Sequence, residues 1–449
     1  MNPTASPPNS AHGAAWHRFF AFEAHQTTPH KEMVAGLVTF MTMAYIIFVN
    51  PSVLAGAGMS KAAVVTATCL GAALPTLLMG LWARYPLALA SGMGLNAALV
   101  IQASQPGMTW QTMMGVVVVE GALVTLLVLS GVREQVMEAI PINLKRAIGI
   151  GIGVFIAFLG LQQMGWVAKG AGGAFLAPGS FKVLPTLIAS AGLALTMTLL
   201  ACRVRGAILW GILGTAALAW ASDRLSPGAP PLVVLPDRCV ATPEFTTFGA
   251  ADILAALKPA LWGVVFAFLI TDFFDTMGTV IAVGAQGGYM DARGRIPRLH
   301  RVLVVDSLAA VWGGLCGASS VTTYIESAAG VSAGGRTGFV SVVVAVLFLM
   351  AMFFAPVIGA VPSLATAPAL VVVGFLMMNL VREMDLNSAD EGIPAFLTLL
   401  LIPLTQNISC GIGVGFLATV AVKLLSGKAR EVSPWLYGIT LVFLLHFAL

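Results

Sequence analysis

Charge is what this chain has least of. Lys and Arg number 23 and Asp and Glu 19, so charged residues fill 9% of 449 positions, where a soluble domain carries about a quarter. So few charges cannot wet the surface of a 46.6 kDa globule. A soluble enzyme, a nucleic-acid binder and a disordered chain are thereby excluded, and the net charge of +4 is no sign of a nucleic-acid partner. Cysteine is scarce too: five residues, with no CxxC and no zinc spacing, so neither a disulfide framework nor a metal site is expected. Cys69, Cys202, Cys316 and Cys410 fall in apolar stretches and read as small buried hydrophobes, while Cys239 lies in a polar loop. There is no Walker motif, HExxH or nucleophile elbow, which leaves no basis for ATP hydrolysis or covalent catalysis; no enzyme and no cofactor are expected. Residues 1–31 are polar and lack an apolar h-region, so they read as a cytoplasmic tail and not a cleaved signal.

Apolar sequence is abundant. Hydrophobic residues make up 58% of the chain, the mean hydropathy is +0.93, and stretches of about 15–22 residues recur from Met33 onward, the length a membrane helix needs. The alternating polarity of barrel strands is missing. Spans are expected near 33–55, 62–83, 87–104, 111–131, 146–166, 183–202 and 206–222. After a Pro-rich polar connection they resume at 260–285, 302–317, 322–335, 338–356, 364–381, 392–405 and 407–425. The expected organisation is a tail (1–31), a seven-helix repeat (32–225), an extracytoplasmic linker (226–258), a second seven-helix repeat (259–426) and a C-terminal hydrophobic segment (427–449). With the N-terminus inside, 17 basic residues face the cytoplasm and six face out, so an inner-membrane protein with a cytoplasmic N-terminus is expected.

The two halves resemble each other. Ala35–Met59 aligns with Val265–Met290 at a separation of 231 positions, and Asn96 aligns with Glu326 at 230. Because seven is odd, the second copy enters the membrane from the opposite side, an inverted repeat of the kind on which secondary transporters are built. The glycine-broken segments 87–104 and 322–335 occupy corresponding places.

Five acids fall inside the spans: Glu120, Asp272, Asp275, Asp306 and Glu326. Each costs about 2.5–3.5 kcal/mol facing lipid at mid-helix, so such residues usually face a cavity and carry function. Asp272 and Asp275, three apart, are expected on one helix face. Glu326 opens a broken segment, where a half-helix N-terminus offers free N–H groups. Glu120 fits a helix-packing role better. Gly92-Met-Gly-Leu-Asn-Ala97 matches GxGxxA but has no βαβ unit around it; it reads as a broken helix whose glycines admit a ligand, with Asn96 as amide donor and acceptor. Gly149–Gly153 and Gly411–Gly415 read as close helix packing.

These motifs together are familiar. GLVTFMTMAYIIFVNPSVLAGAGM, SGMGLNAAL, DFFDTMGTVIAVGAQGGYMD, SSVTTYIESAAGVSAGGRTG and GIPAFLTLLLIPLTQNISCGIGVGF resemble the AzgA-like purine permeases, a branch of the nucleobase–ascorbate transporter superfamily, over about Thr28 to Leu425. The resemblance implies an all-α polytopic fold of 14 transmembrane segments in two inverted seven-helix repeats, with short strands in segments 3 and 10. It also implies a core domain (helices 1–4 and 8–11), a gate domain (5–7 and 12–14) and import of hypoxanthine, guanine or adenine with protons. By the same resemblance Asp275, Glu326 and Asn96 bind substrate, and Asp272 and Asp306 matter for transport. The chemistry agrees: carboxylates are acceptors only and suit the N–H edges of an oxopurine, while Asn96, Thr42 and half-helix N–H groups suit its acceptors. Phe40, Met43, Phe273 and Phe274 suit either the ring faces or ordinary packing. Asp272, Asp306 and Glu326 are the candidate proton carriers. The expected partners are a purine base, a proton and the bilayer, with a homodimer as a candidate assembly; another nucleobase (xanthine or uracil), or less readily an ion channel, is the alternative.

Overall fold

The computed structural model describes residues 14–131, 140–170, 176–225, 231–289, 296–386 and 388–448. Residues 1–13 of the expected tail, and Met290 of the repeat alignment, lie outside these residues. Helix α1 (Ala14–Phe20) comes first, its Trp16 and Phe20 packed with Phe22 against Phe339. The first half then runs α2 (Pro29–Met43), α3 (Ile46–Leu54), α4 (Lys61–Leu78), β1 (Leu89–Ser91), α5 (Met93–Ala103), α6 (Trp110–Leu129), α7 (Ile142–Gln163), α8 (Leu184–Ala201) and α9 (Ala207–Leu225). An unexpected hairpin, β2 (Val167–Lys169) with β3 (Leu176–Pro178), joins α7 to α8. The second half runs α10 (Trp262–Gly287), α11 (Leu299–Cys316), β4 (Val321–Thr323), α12 (Ser327–Ser332), α13 (Phe339–Ala351), α14 (Ser363–Met377), α15 (Ala389–Thr405) and α16 (Ile408–Leu425). A last helix, α17 (Pro434–Ala448), packs on α10 and α16, with Phe443 stacked on Phe416. Among the described residues nine helical stretches are long and apolar enough to cross a membrane, and the shorter apolar helices include Met93–Ala103 and Pro434–Ala448.

Local chemistry sets the helix ends. Thr28, Ser60, Thr109 and Asn407 each accept a backbone N–H of the following turn, satisfying donors that a helix start leaves open. Gly58, at φ +84°, turns the chain between α3 and α4. The first span is in two pieces, broken at Ala44–Tyr45.

Exchanging the halves maps the packing onto itself. Helix α4 packs on α13, and its repeat mate α11 packs on α6; α2 on α13 is matched by α10 on α6; α8 on α14 by α15 on α7; α8 on α9 by α15 on α16. Pairs that exchange into themselves, α4 with α11, α7 with α14 and β1 with β4, are also in contact. This self-matching is the inverted repeat in three dimensions.

Strands β1 and β4 pair antiparallel at the centre, Leu89 opposite Thr323 and Ser91 opposite Val321, and both are fully buried. Irregular backbone at membrane depth survives only where protein supplies its partners. Here Gly92 N–H donates to Ser320 O and Tyr324 N–H to Ala88 O, while Thr76 Oγ1 and Ser327 Oγ accept from Leu89 and Ala88 N–H. Antiparallel pairing sends α5 and α12 away in opposite directions, leaving both N-termini beside the strands.

The glycine triplets pack helices as expected. A Cβ on Gly153 would stand 2.7 Å from Met377 Cβ, and one on Gly411 2.8 Å from Ile402 N. Gly94, expected to admit a ligand, is instead pressed against α7: its Cβ would lie 2.4 Å from Ile152 Cγ2. Cys69 and Cys316 are buried, but Cys202 is exposed at the end of α8 and Cys410 is half-buried; all five are free thiols.

Candidate functional site

The acids converge where α10 passes the strand pair. Asp275 sits midway along a 26-residue apolar helix, yet its side chain is exposed while Asp272, Phe273 and Thr276 around it are buried. Its field reaches Glu326 and Asp306. Glu326, half-buried, is the residue before the first turn of α12, and its Oε1 accepts the Tyr45 hydroxyl at 2.8 Å. Thr42 Oγ1 stands 3.4 Å from the Glu326 carbonyl. Tyr324 also lies in the field of both acids, and its hydroxyl donates to Ser91 O at 2.5 Å, tying it to β1. The break in the first span is what brings Tyr45 here. Two tyrosines, two carboxylates and Thr42 therefore surround one spot beside a half-helix N-terminus.

The other expected residues are placed differently. Asp272 does not share the exposed face of Asp275; three residues along a helix leave about 60° between side chains, and Asp272 is 0% exposed with Oδ1 3.1 Å from Ser320 Oγ. Asp306 takes the Thr276 hydroxyl at 2.5 Å and Thr323 N–H at 3.0 Å, fastening α10 and β4 to α11. Asn96 is also 0% exposed: its amide donates to Asn50 Oδ1 at 2.7 Å and its Oδ1 accepts from Ser91 Oγ at 2.9 Å. Asn50 in turn reaches Thr68 and Ala318 O. Asn96 thus braces the strand pair from behind, and in this arrangement its polar atoms are turned into the protein. Phe273 is buried, Phe40 is half-buried against Phe348, and Met43 is buried; the side chain of Phe274 lies outside the described residues.

Residues not singled out from the sequence complete the picture. Tyr45 carried no signal beyond being one of five tyrosines, and Tyr324 only its place inside the glycine-broken segment 322–335. Glu120, read as a packing acid, lies with Asp272 at a single serine: Ser320 Oγ is 2.9 Å from Glu120 Oε1. Among the described residues no group of three or more His, Cys, Asp or Glu is arranged to hold a metal. What the cluster can do is accept hydrogen bonds from a planar N–H-rich ligand at its two carboxylates, the Tyr45, Tyr324 and Thr42 hydroxyl protons being given to Glu326, Ser91 O and Thr39 O.

The Permease family model (Xan_ur_permease) matches residues 30–414. The chain is 41% identical to the guanine/hypoxanthine permease PbuO of Bacillus subtilis, over 95% of this chain and 99% of that protein. It is 37% identical to the adenine permease AdeP of Escherichia coli, over 95% of each. Among solved structures, the transmembrane domain of the cyanobacterial bicarbonate transporter BicA matches with a TM-score of 0.60 at 15% identity, over 87% of this chain and 97% of that one. That last likeness is one of fold.

Proposed function

This chain belongs to the Permease family, and from that premise we propose that it imports purine nucleobases, hypoxanthine, guanine or adenine, by proton symport. The observation that carries the reading is the exposed Asp275 carboxylate in the middle of an apolar span, beside Glu326 at the start of a half-helix. Two acceptor-only groups suit the N–H donors on two edges of a purine. The names of the relatives, guanine/hypoxanthine and adenine permeases, point the same way. Helices α4, α6, α11 and α13 gather around the strand pair, while α7, α8, α9, α14, α15 and α16 pack among themselves. We take the first set, with α2, α3, α5, α10 and α12, as a core holding the substrate and the second as a gate moving against it. The N-terminus is placed in the cytoplasm by the distribution of basic residues.

The test is uptake of labelled hypoxanthine into proteoliposomes. Uptake should quicken at mildly acidic external pH, stop with a protonophore and ignore replacement of sodium by potassium. Competition by a panel of unlabelled bases should rank hypoxanthine, guanine or adenine above uracil and xanthine. Uptake that requires sodium, or that persists in full without a proton gradient, defeats the symport reading; uracil as the best competitor defeats the purine one.

A further inference from the structure

Glu120, Asp272 and Ser320 form a second acid cluster, separate from the exposed pair. All three are 0% exposed. Ser320 Oγ lies 2.9 Å from Glu120 Oε1 and 3.1 Å from Asp272 Oδ1. A serine hydroxyl has one proton and so donates to one carboxylate only. The other contact would set lone pair against lone pair at hydrogen-bond distance unless that carboxyl brings a proton of its own. The remaining oxygens, Glu120 Oε2 and Asp272 Oδ2, are buried with no partner, and the neighbouring Ser319 Oγ is likewise unpaired. Buried polar atoms left open in this way are exceptional and call for a role.

Among the described residues, the charged groups acting on the cluster are acids. Asp306 from α11 acts on both members, and Asp275 acts on Asp272 from one turn along α10. Two bare carboxylates here would repel each other and these neighbours in a medium of low dielectric.

We infer that Glu120 and Asp272 hold one proton between them through the Ser320 hydroxyl, and that this pair carries the proton coupled to substrate movement. This rests on the permease reading and deepens it. The relay is balanced. The Glu120 O–H bond breaks as its proton joins Ser320 Oγ, and the Ser320 O–H bond breaks as that proton joins Asp272 Oδ1. One proton changes ends and no charge is created. Loss of the proton would leave two anions and a single donor, loosening Ser320. Because Ser320 O holds Gly92 N–H at the edge of the strand pair, the protonation state reaches the strand that leads into α5. Asp272 lies one turn from Asp275, which gives substrate and proton adjacent but distinct seats on α10.

Two readouts on the full chain in lipid test this. Infrared spectra at neutral pH should show the C=O stretch of a protonated carboxylic acid that Glu120→Gln and Asp272→Asn each remove or shift. No such band, or a band indifferent to both changes, overturns the inference whatever the substrate is, and carboxylates ionised around bound sodium would give that result. In proteoliposomes holding a pH-sensitive dye, hypoxanthine added outside should acidify the lumen with wild type. The protons moved per hypoxanthine should fall at least tenfold in Glu120→Gln. Ser320→Ala, which keeps both acids, should show the same loss and decides the matter if Glu120→Gln fails to fold. An unchanged ratio overturns the inference. A wild type that exchanges no hypoxanthine while the infrared band behaves as stated refutes the purine reading alone.

Discussion

Tyr45→Phe separates a working site from a packed one. The ring of Tyr45 is buried at the break between α2 and α3, and its hydroxyl donates to Glu326 Oε1 at 2.8 Å. Phenylalanine keeps the ring, so packing is preserved and the change deletes one hydrogen bond to a carboxylate. Such bonds contribute about 1.5–3 kcal/mol. Glu326 is half-buried, so in the free protein water replaces the lost bond, whereas a bound ligand excludes that water, and the lower figure then falls on binding: about 1.5 kcal/mol, close to tenfold in Kd. Without the hydroxyl, Glu326 is no longer held with one oxygen occupied and the other free for a ligand N–H. Equilibrium binding of labelled hypoxanthine to purified protein should therefore weaken about tenfold, with the melting temperature almost unchanged. Tyr324→Phe is the comparator. Its hydroxyl bonds Ser91 O in the strand pair, so its loss should lower the melting temperature more than Tyr45→Phe does. An unaltered Kd in Tyr45→Phe, or equal loss of affinity and stability, would refute the reasoning.

Asp275→Asn and Glu326→Gln keep shape but remove the charge, and each should weaken hypoxanthine binding at least about tenfold, read in the same binding assay with membrane abundance unchanged. Asn96→Ala leaves Asn50 Oδ1 without its donor in a dry interior; at about 1–3 kcal/mol for a buried group left unpaired, thermal unfolding in detergent should show a lowered midpoint. Gly330→Ala would place a Cβ 2.0 Å from Thr39 Oγ1 and 2.7 Å from Ala35 O, pushing α12 off α2. It should cost about 1–3 kcal/mol and reduce transport, whereas Gly359→Ala, with nothing within 4 Å of its Cβ, should do neither.

Several features are legible in the sequence alone. Segments 87–104 and 322–335 stood out because glycines and polar residues interrupt an apolar run, and they became the strand and half-helix units. Asp275 and Glu326 stood out because a carboxylate facing lipid in a span is costly and usually carries function. Other features left no trace. Asp272 and Asp275 looked like one face, yet α10 buries one and exposes the other, since its neighbours differ on each side. Glu120 could not be matched with Asp272, 152 positions away, nor with the serine that joins them. Asn96 looked poised for a ligand and is turned into the protein. Soluble helices mark their buried face by polarity; spans apolar on every side carry little such mark.

By itself, then, the sequence determined that this chain enters a membrane, about where it crosses, that it does so as two opposed halves, and that a few acids lie inside the spans. Those properties are sums over neighbouring residues: transfer of an apolar stretch into lipid, the cost of a buried charge, the parity of a span count. The tertiary structure alone decided which carboxylate meets Tyr45, which meets a second carboxylate at Ser320, and which amide braces the strands. Those contacts arise where separate segments cross, up to 281 positions apart for Tyr45 and Glu326, and their geometry depends on the packing of the helices between them.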